Sequence, residues 1–107
     1  MKLRDLDAEF VVSVGLDKLQ HLVPGTRLSS AQGVVFTCPL CQAHSVLIWF
    51  AEKGVDDAWE PRNRWTASGN GIDDLTLTPS VNLDTEEARK YPGTCRWHGW
   101  VRNGEAV

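Results

Sequence analysis

Two short segments, Cys38-Pro39-Leu40-Cys41 and Cys95-Arg96-Trp97-His98, constrain this chain more than anything else in it. Each sets two soft or imidazole donors two residues apart, a spacing that lets both side chains reach one ion from a single tight turn. The two pairs lie far apart in sequence, so a shared ion would tie distant stretches of backbone together. All three cysteines are used, and their odd number excludes a complete disulfide framework. The expectation is a structural Zn2+ in a Cys₃His tetrahedron made by Cys38, Cys41, Cys95 and His98. His44, three residues after Cys41, stands as the alternative fourth ligand. A chain of 107 residues buries only a modest fraction of its surface, so such a staple matters.

Other uses of these residues fit less well. The bland alternative is that the cysteines are small buried hydrophobes. A Rieske cluster needs two cysteines and two histidines, which Cys41, His44, Cys95 and His98 supply, but its first pair has one intervening residue rather than two. A zinc deaminase needs His-x-Glu with Pro-Cys-x-x-Cys, and neither is present. A thioredoxin-type motif opens a helix, whereas strand-like sequence follows Cys41. A closed Cys₃His set leaves no position for a reactive water. No catalytic residue is assigned on this reading.

Hydrophobic periodicity places the motifs on β structure. Residues 9–14 read as a strand, and Leu16, Leu19, Leu22 and Val23 recur at the spacing of a short amphipathic helix that Pro24-Gly25 ends. His21 falls on the polar side of that helix. Val34 to Thr37 and Val46 to Ala51 read as strands flanking the first cysteine turn, the second covered on both faces. Residues 52–63 read as a loop, 64–67 as a strand, 68–71 as a reversal and 74–78 as a half-buried strand. A short capped helix follows from Asp84 and stops at Pro92-Gly93. Asn103-Gly104 between β-prone residues marks a terminal hairpin. The fold class expected is mainly β (α+β), a small zinc-ribbon-like β domain with one short N-terminal helix, over 1–107.

A formal charge of -3 and a pI of about 5.5 argue against general nucleic-acid binding, despite arginines at 62, 64, 89, 96 and 102. Trp49, Trp97 and Trp100 are expected to pack around the metal, whereas Trp59 reads as an exposed loop indole. The adjacent pairs Asp56-Asp57, Asp73-Asp74 and Glu86-Glu87 read as solvated charge. The start turns acidic at once with no long apolar run behind it, unlike a secretory signal. The run from Val46 to Ala51 is too short to span a bilayer. A soluble protein of a reducing compartment is expected.

Several segments together resemble a family of small proteins of unknown function encoded by phages and prophages. They are residues 1–10, residues 31–41 ending in Cys38-Pro39-Leu40-Cys41, residues 44–50, residues 73–81 with Thr78-Pro79-Ser80, and Cys95-Arg96-Trp97-His98-Gly99-Trp100-Val101-Arg102-Asn103-Gly104. The resemblance implies a phage origin and metal binding through Cys38, Cys41, Cys95 and His98, and it implies no activity. The function expected is a non-enzymatic interaction module with a phage or host protein as partner, in the bacterial cytoplasm or on a virion. The alternatives are a metalloenzyme or redox protein, Rieske-like or thiol-based, and a nucleic-acid-binding zinc ribbon.

Overall fold

Runs of β-branched and aromatic residues at 9–14, 34–37 and 46–50 favour extended backbone, and the chain accordingly forms strands whose two faces meet different surroundings. The computed structural model describes residues 1–59, 62–83 and 95–107. A six-stranded sheet has the order β2-β1-β3-β4-β5-β6. Its strands are β1 (Glu9–Gly15), β2 (Lys18–His21), β3 (Gly33–Thr37), β4 (Ser45–Phe50), β5 (Arg64–Ser68) and β6 (Thr76–Thr78). All neighbours are antiparallel except β4 and β5, which run parallel from Trp49↔Arg64. Two short ribbons follow. β7 (Val81–Asn82) pairs with β8 (His98–Gly99), and β9 (Val101–Arg102) pairs with β10 (Glu105–Ala106). Residues 1–3 close against the last hairpin, with Leu3 N–H donating to the Gly104 carbonyl and Ala106 N–H to that of Met1, both at 2.8 Å.

The mainly β class is therefore met, and the helical pieces among the described residues are 3-10 turns at Leu3–Leu6, Leu28–Ser30 and Ile72–Asp74. The helix expected over residues 16–23 is instead the turn and return strand of a hairpin. Its partner explains why: Val11↔His21, Val12↔Gln20 and Ser13↔Leu19 pair backbone groups of β1 that a helix would leave unmet. Asp17 takes φ 62° at the reversal, and Leu19 packs beneath the sheet beside Trp49 and Val11. His21 is exposed, as expected of it, and its Nδ1 lies 2.7 Å from Glu9. The capped helix expected after Asp84 lies outside the described residues.

Two apolar clusters cover the sheet. The larger takes Phe10, Val34, Phe36, Ile48, Phe50, Trp65, Leu77 and Trp97 with Leu3 and Leu6. The smaller takes Val11, Trp49 and Trp59 on the other face. β4 is thus covered on both sides, as its unbroken apolar run implies. Trp59 departs from expectation: it is 6% exposed, its ring centroid lies 4.8 Å from that of Trp49, and its Nε1–H donates to Ser13 Oγ at 2.6 Å. A loop indole with both an aromatic neighbour and an acceptor for its N–H is better buried than wet. No helix of the described residues is long and apolar enough to cross a membrane.

Candidate functional site

The turn between β3 and β4 brings the first cysteine pair into place. Cys38 N–H donates to the His44 carbonyl and Gln42 N–H to that of Cys38, both at 2.9 Å, so residues 38–44 form a closed loop. Inside it, Cys41 Sγ sits 2.9 Å from His44 Nδ1, and Ala43 N–H points at the same sulfur at 3.4 Å. Cys95, just before β8, places its Sγ 3.5 Å from that of Cys38. The donor atoms of Cys38, Cys41, His44 and Cys95 all lie within 4.8 Å of one another, a group that could hold a metal ion. A regular tetrahedron with bonds of about 2.3 Å has edges of about 3.8 Å, so the four donors fit it with small adjustments. The Cys41 thiol is lowered to about 6, first by the Ala43 amide, with His44 assisting. The Cys95 thiol is raised to about 11 by loss of hydration and by the neighbouring Cys38 sulfur.

His44 thus completes the cluster, and His98 lies elsewhere. Both belong to candidate sets read from the sequence, and geometry separates them because Cys95 and His98 enter different local structures. Cys95 precedes the ladder. Trp97 is buried, with its ring edge-on to Phe36 at 6.0 Å and 89°, and Leu83 N–H reaches its carbonyl at 2.7 Å. His98 therefore starts a strand and turns outward on the next position.

The register of that strand gives His98 a different companion. Asn82↔His98 and Val81↔Gly99 are paired across β7 and β8. Side chains alternate, so Ser80, Asn82, His98 and Trp100 share one face while buried Val81 and Val101 share the other. Ser80 Oγ lies 3.2 Å from His98 Nε2. The Ser80 backbone is fixed from the core side, where Trp65 Nε1–H donates to its carbonyl at 3.2 Å, and it follows the cis peptide bond Thr78-Pro79. Gly99 sits where a side chain has no room: a Cβ there would run into the Val107 carbonyl and, at 2.8 Å, the Trp97 ring. A half-buried hydroxyl within hydrogen-bond reach of an exposed imidazole is the pairing that activates serine as a nucleophile.

A family model described as "Bacterial ubiquitination-like system serine protease (BubE)" matches residues 14–107. This chain belongs to the BubE family. The match corrects the function expected from the sequence, since a serine protease family is not one of non-enzymatic interaction modules. The family's description also names a bacterial system, where the resemblance pointed to phage and prophage proteins. Searches of curated proteins and of solved structures found no match.

Ser80 entered the sequence reading only within the Thr78-Pro79-Ser80 segment of the resemblance, with no role given to it, and His98 only as a metal donor. Their separation in sequence carries no signal, because only the β7–β8 register makes them neighbours. A weaker signal was present. Ser80-Val81-Asn82 and His98-Gly99-Trp100-Val101 both alternate, which puts Ser80 and His98 on outward positions.

Proposed function

We propose that this chain is a serine protease of a bacterial ubiquitination-like system, with Ser80 as nucleophile and His98 as general base. The observation that carries the reading is the 3.2 Å approach of Ser80 Oγ to His98 Nε2 in a chain of this family. With its proton on Nδ1, His98 accepts the Ser80 hydroxyl hydrogen at Nε2 as Oγ attacks the carbonyl carbon of the scissile peptide. That proton passes to the leaving amine as the carbon–nitrogen bond breaks, leaving an acyl ester on Ser80. Water then gives a proton to Nε2, attacks the ester and releases the acid, and Ser80 takes its hydrogen back. The partner in this reading is the protein that carries the cleaved bond.

The cluster of Cys38, Cys41, His44 and Cys95 takes Zn2+ in this reading, because three thiolates and an imidazole suit that ion best. Bound there, the ion supplies a structural cross-link and no reactive water. Cys95, as one of the residues that would hold the ion, would anchor the segment entering β8, and the Trp97 indole packed edge-on to Phe36 would carry that anchorage to His98.

A pool of random decapeptides incubated with the protein and read by mass spectrometry tests the proposal. Defined new termini are expected with the wild type. Ser80→Ala and His98→Ala should each slow their formation by about a thousandfold. Unchanged cleavage by Ser80→Ala contradicts the assignment.

A further inference from the structure

The strand that carries His98 continues past it in the same alternation. Gly99 and Val101 turn inward, and Trp100 and Arg102 turn outward beside His98. Continuing the β7–β8 register one step beyond the Val81↔Gly99 pair sets Trp100 opposite Ser80. Trp100 is held extended by two hydrogen bonds with Val107, at 3.0 and 2.8 Å. Its indole is 38% exposed, unlike those of Trp49, Trp59, Trp65 and Trp97, which are buried. The Arg102 guanidinium lies over this ring, 4.3 Å from its centroid. Among the described residues no carboxylate closes an ion pair with Arg102, and its cross-strand neighbour Glu105 does not do so.

A large apolar ring left in water beside the proposed nucleophile, with a cation stacked on it that pairs with no carboxylate among the described residues, is a surface that lacks its complement. Stacking fixes the guanidinium plane and leaves its outer N–H groups free to meet a carboxylate in a forked pair. Successive outward positions on a strand are about 6.6 Å apart, so Trp100 and Arg102 lie where a peptide running past Ser80 would place its next residues. We propose that Trp100 and Arg102 form the specificity surface of the Ser80 site and select an extended peptide with an aspartate or glutamate within a few residues of the cleaved bond. Trp100 supports the peptide by stacking, and Arg102 binds the acidic side chain. This inference rests on the assignment of Ser80 as nucleophile.

The test separates the two assignments by measuring binding and cleavage with one probe. The Ser80→Ala protein is equilibrated with the random decapeptide pool, and retained peptides are sequenced. Peptides containing Asp or Glu are expected to be enriched about fivefold over those with Asn or Gln, the size of one charge-assisted contact at a partly exposed site. Adding Arg102→Gln should erase the enrichment, and Trp100→Ala should reduce it by removing the platform. In the wild-type cleavage products the same acids should recur at fixed distances from the new termini. Enrichment without any cleavage would remove Ser80 as nucleophile and leave the surface standing. Cleavage without acidic preference, or a preference that survives Arg102→Gln, would overturn the specificity surface and leave the nucleophile standing.

Discussion

Two residues, Arg96 and Trp97, separate Cys95 from His98, and across that interval the chain passes from the thiol–imidazole cluster to the imidazole beside Ser80. The metal-ligand spacing is present in both Cys38-Pro39-Leu40-Cys41 and Cys95-Arg96-Trp97-His98, yet only Cys95 of the second pair joins the cluster. Its indole neighbour Trp97 is buried and fixes which way the following residue faces. Two substitutions separate the roles. Cys95→Ser should lose the metal, measured as zinc per chain, and lower Tm by about 10 °C or more. His98→Ala should keep both zinc and Tm near wild type while hydrolysis slows by about a thousandfold. Loss of zinc in His98→Ala would return that residue to the metal site. The sequence makes three of the four cluster members legible because thiols have few other uses in an ordinary soluble chain. It leaves the fourth undecided between His44 and His98, because an imidazole serves equally as ligand or as base until the strand register is known.

At the scale of elements, the hairpin and strand signals read from local chemistry survive well. β3, β4, β5 and the Asn103-Gly104 hairpin fall where residue types place them, with Asn103 at φ 49° and Gly104 at φ 79° supplying the turn. The segment of Leu16, Leu19 and Leu22 has helical spacing, yet it fails as a helix because Leu16 lies in the turn and the edge of β1 takes residues 18–21 as its partner strand, so tertiary pairing overrides the local pattern. The ribbon of β7 and β8 was not legible, since two-residue strands carry too little pattern. That ribbon is also the element most exposed to a small change. Gly99→Ala would press a methyl group on the Val107 carbonyl and the Trp97 ring, so the backbone between His98 and Trp100 must move. A cost of about 1–3 kcal/mol is expected in denaturant unfolding, with a larger loss of peptide cleavage than the stability change accounts for. Wild-type cleavage by Gly99→Ala would show that the ribbon geometry does not matter. Trp59→Phe keeps the ring against Trp49 but removes the bond to Ser13, and should cost about 1 kcal/mol with activity unchanged.

Across the described residues, two clusters help to join the six-stranded sheet to the C-terminal ribbons. One is the larger apolar cluster, which gathers Phe36, Trp65, Leu77, Trp97 and Val101. The other is the cluster of Cys38, Cys41, His44 and Cys95, which links the β3–β4 turn to the segment entering β8. The sheet has its own core, so chelation should leave it largely protected from hydrogen exchange while protection at residues 95–102 falls first. Even loss of protection throughout the chain would mean that the ion holds the entire fold. Function was the least legible level, because the proposed site consists of a hydroxyl and an imidazole brought together only by the completed topology. The measurement that bears on this most directly is reaction with a fluorophosphonate followed by peptide mapping. One adduct on Ser80, absent in His98→Ala, is the predicted result; a protein that stays unlabelled, or one labelled at another serine, would contradict the account.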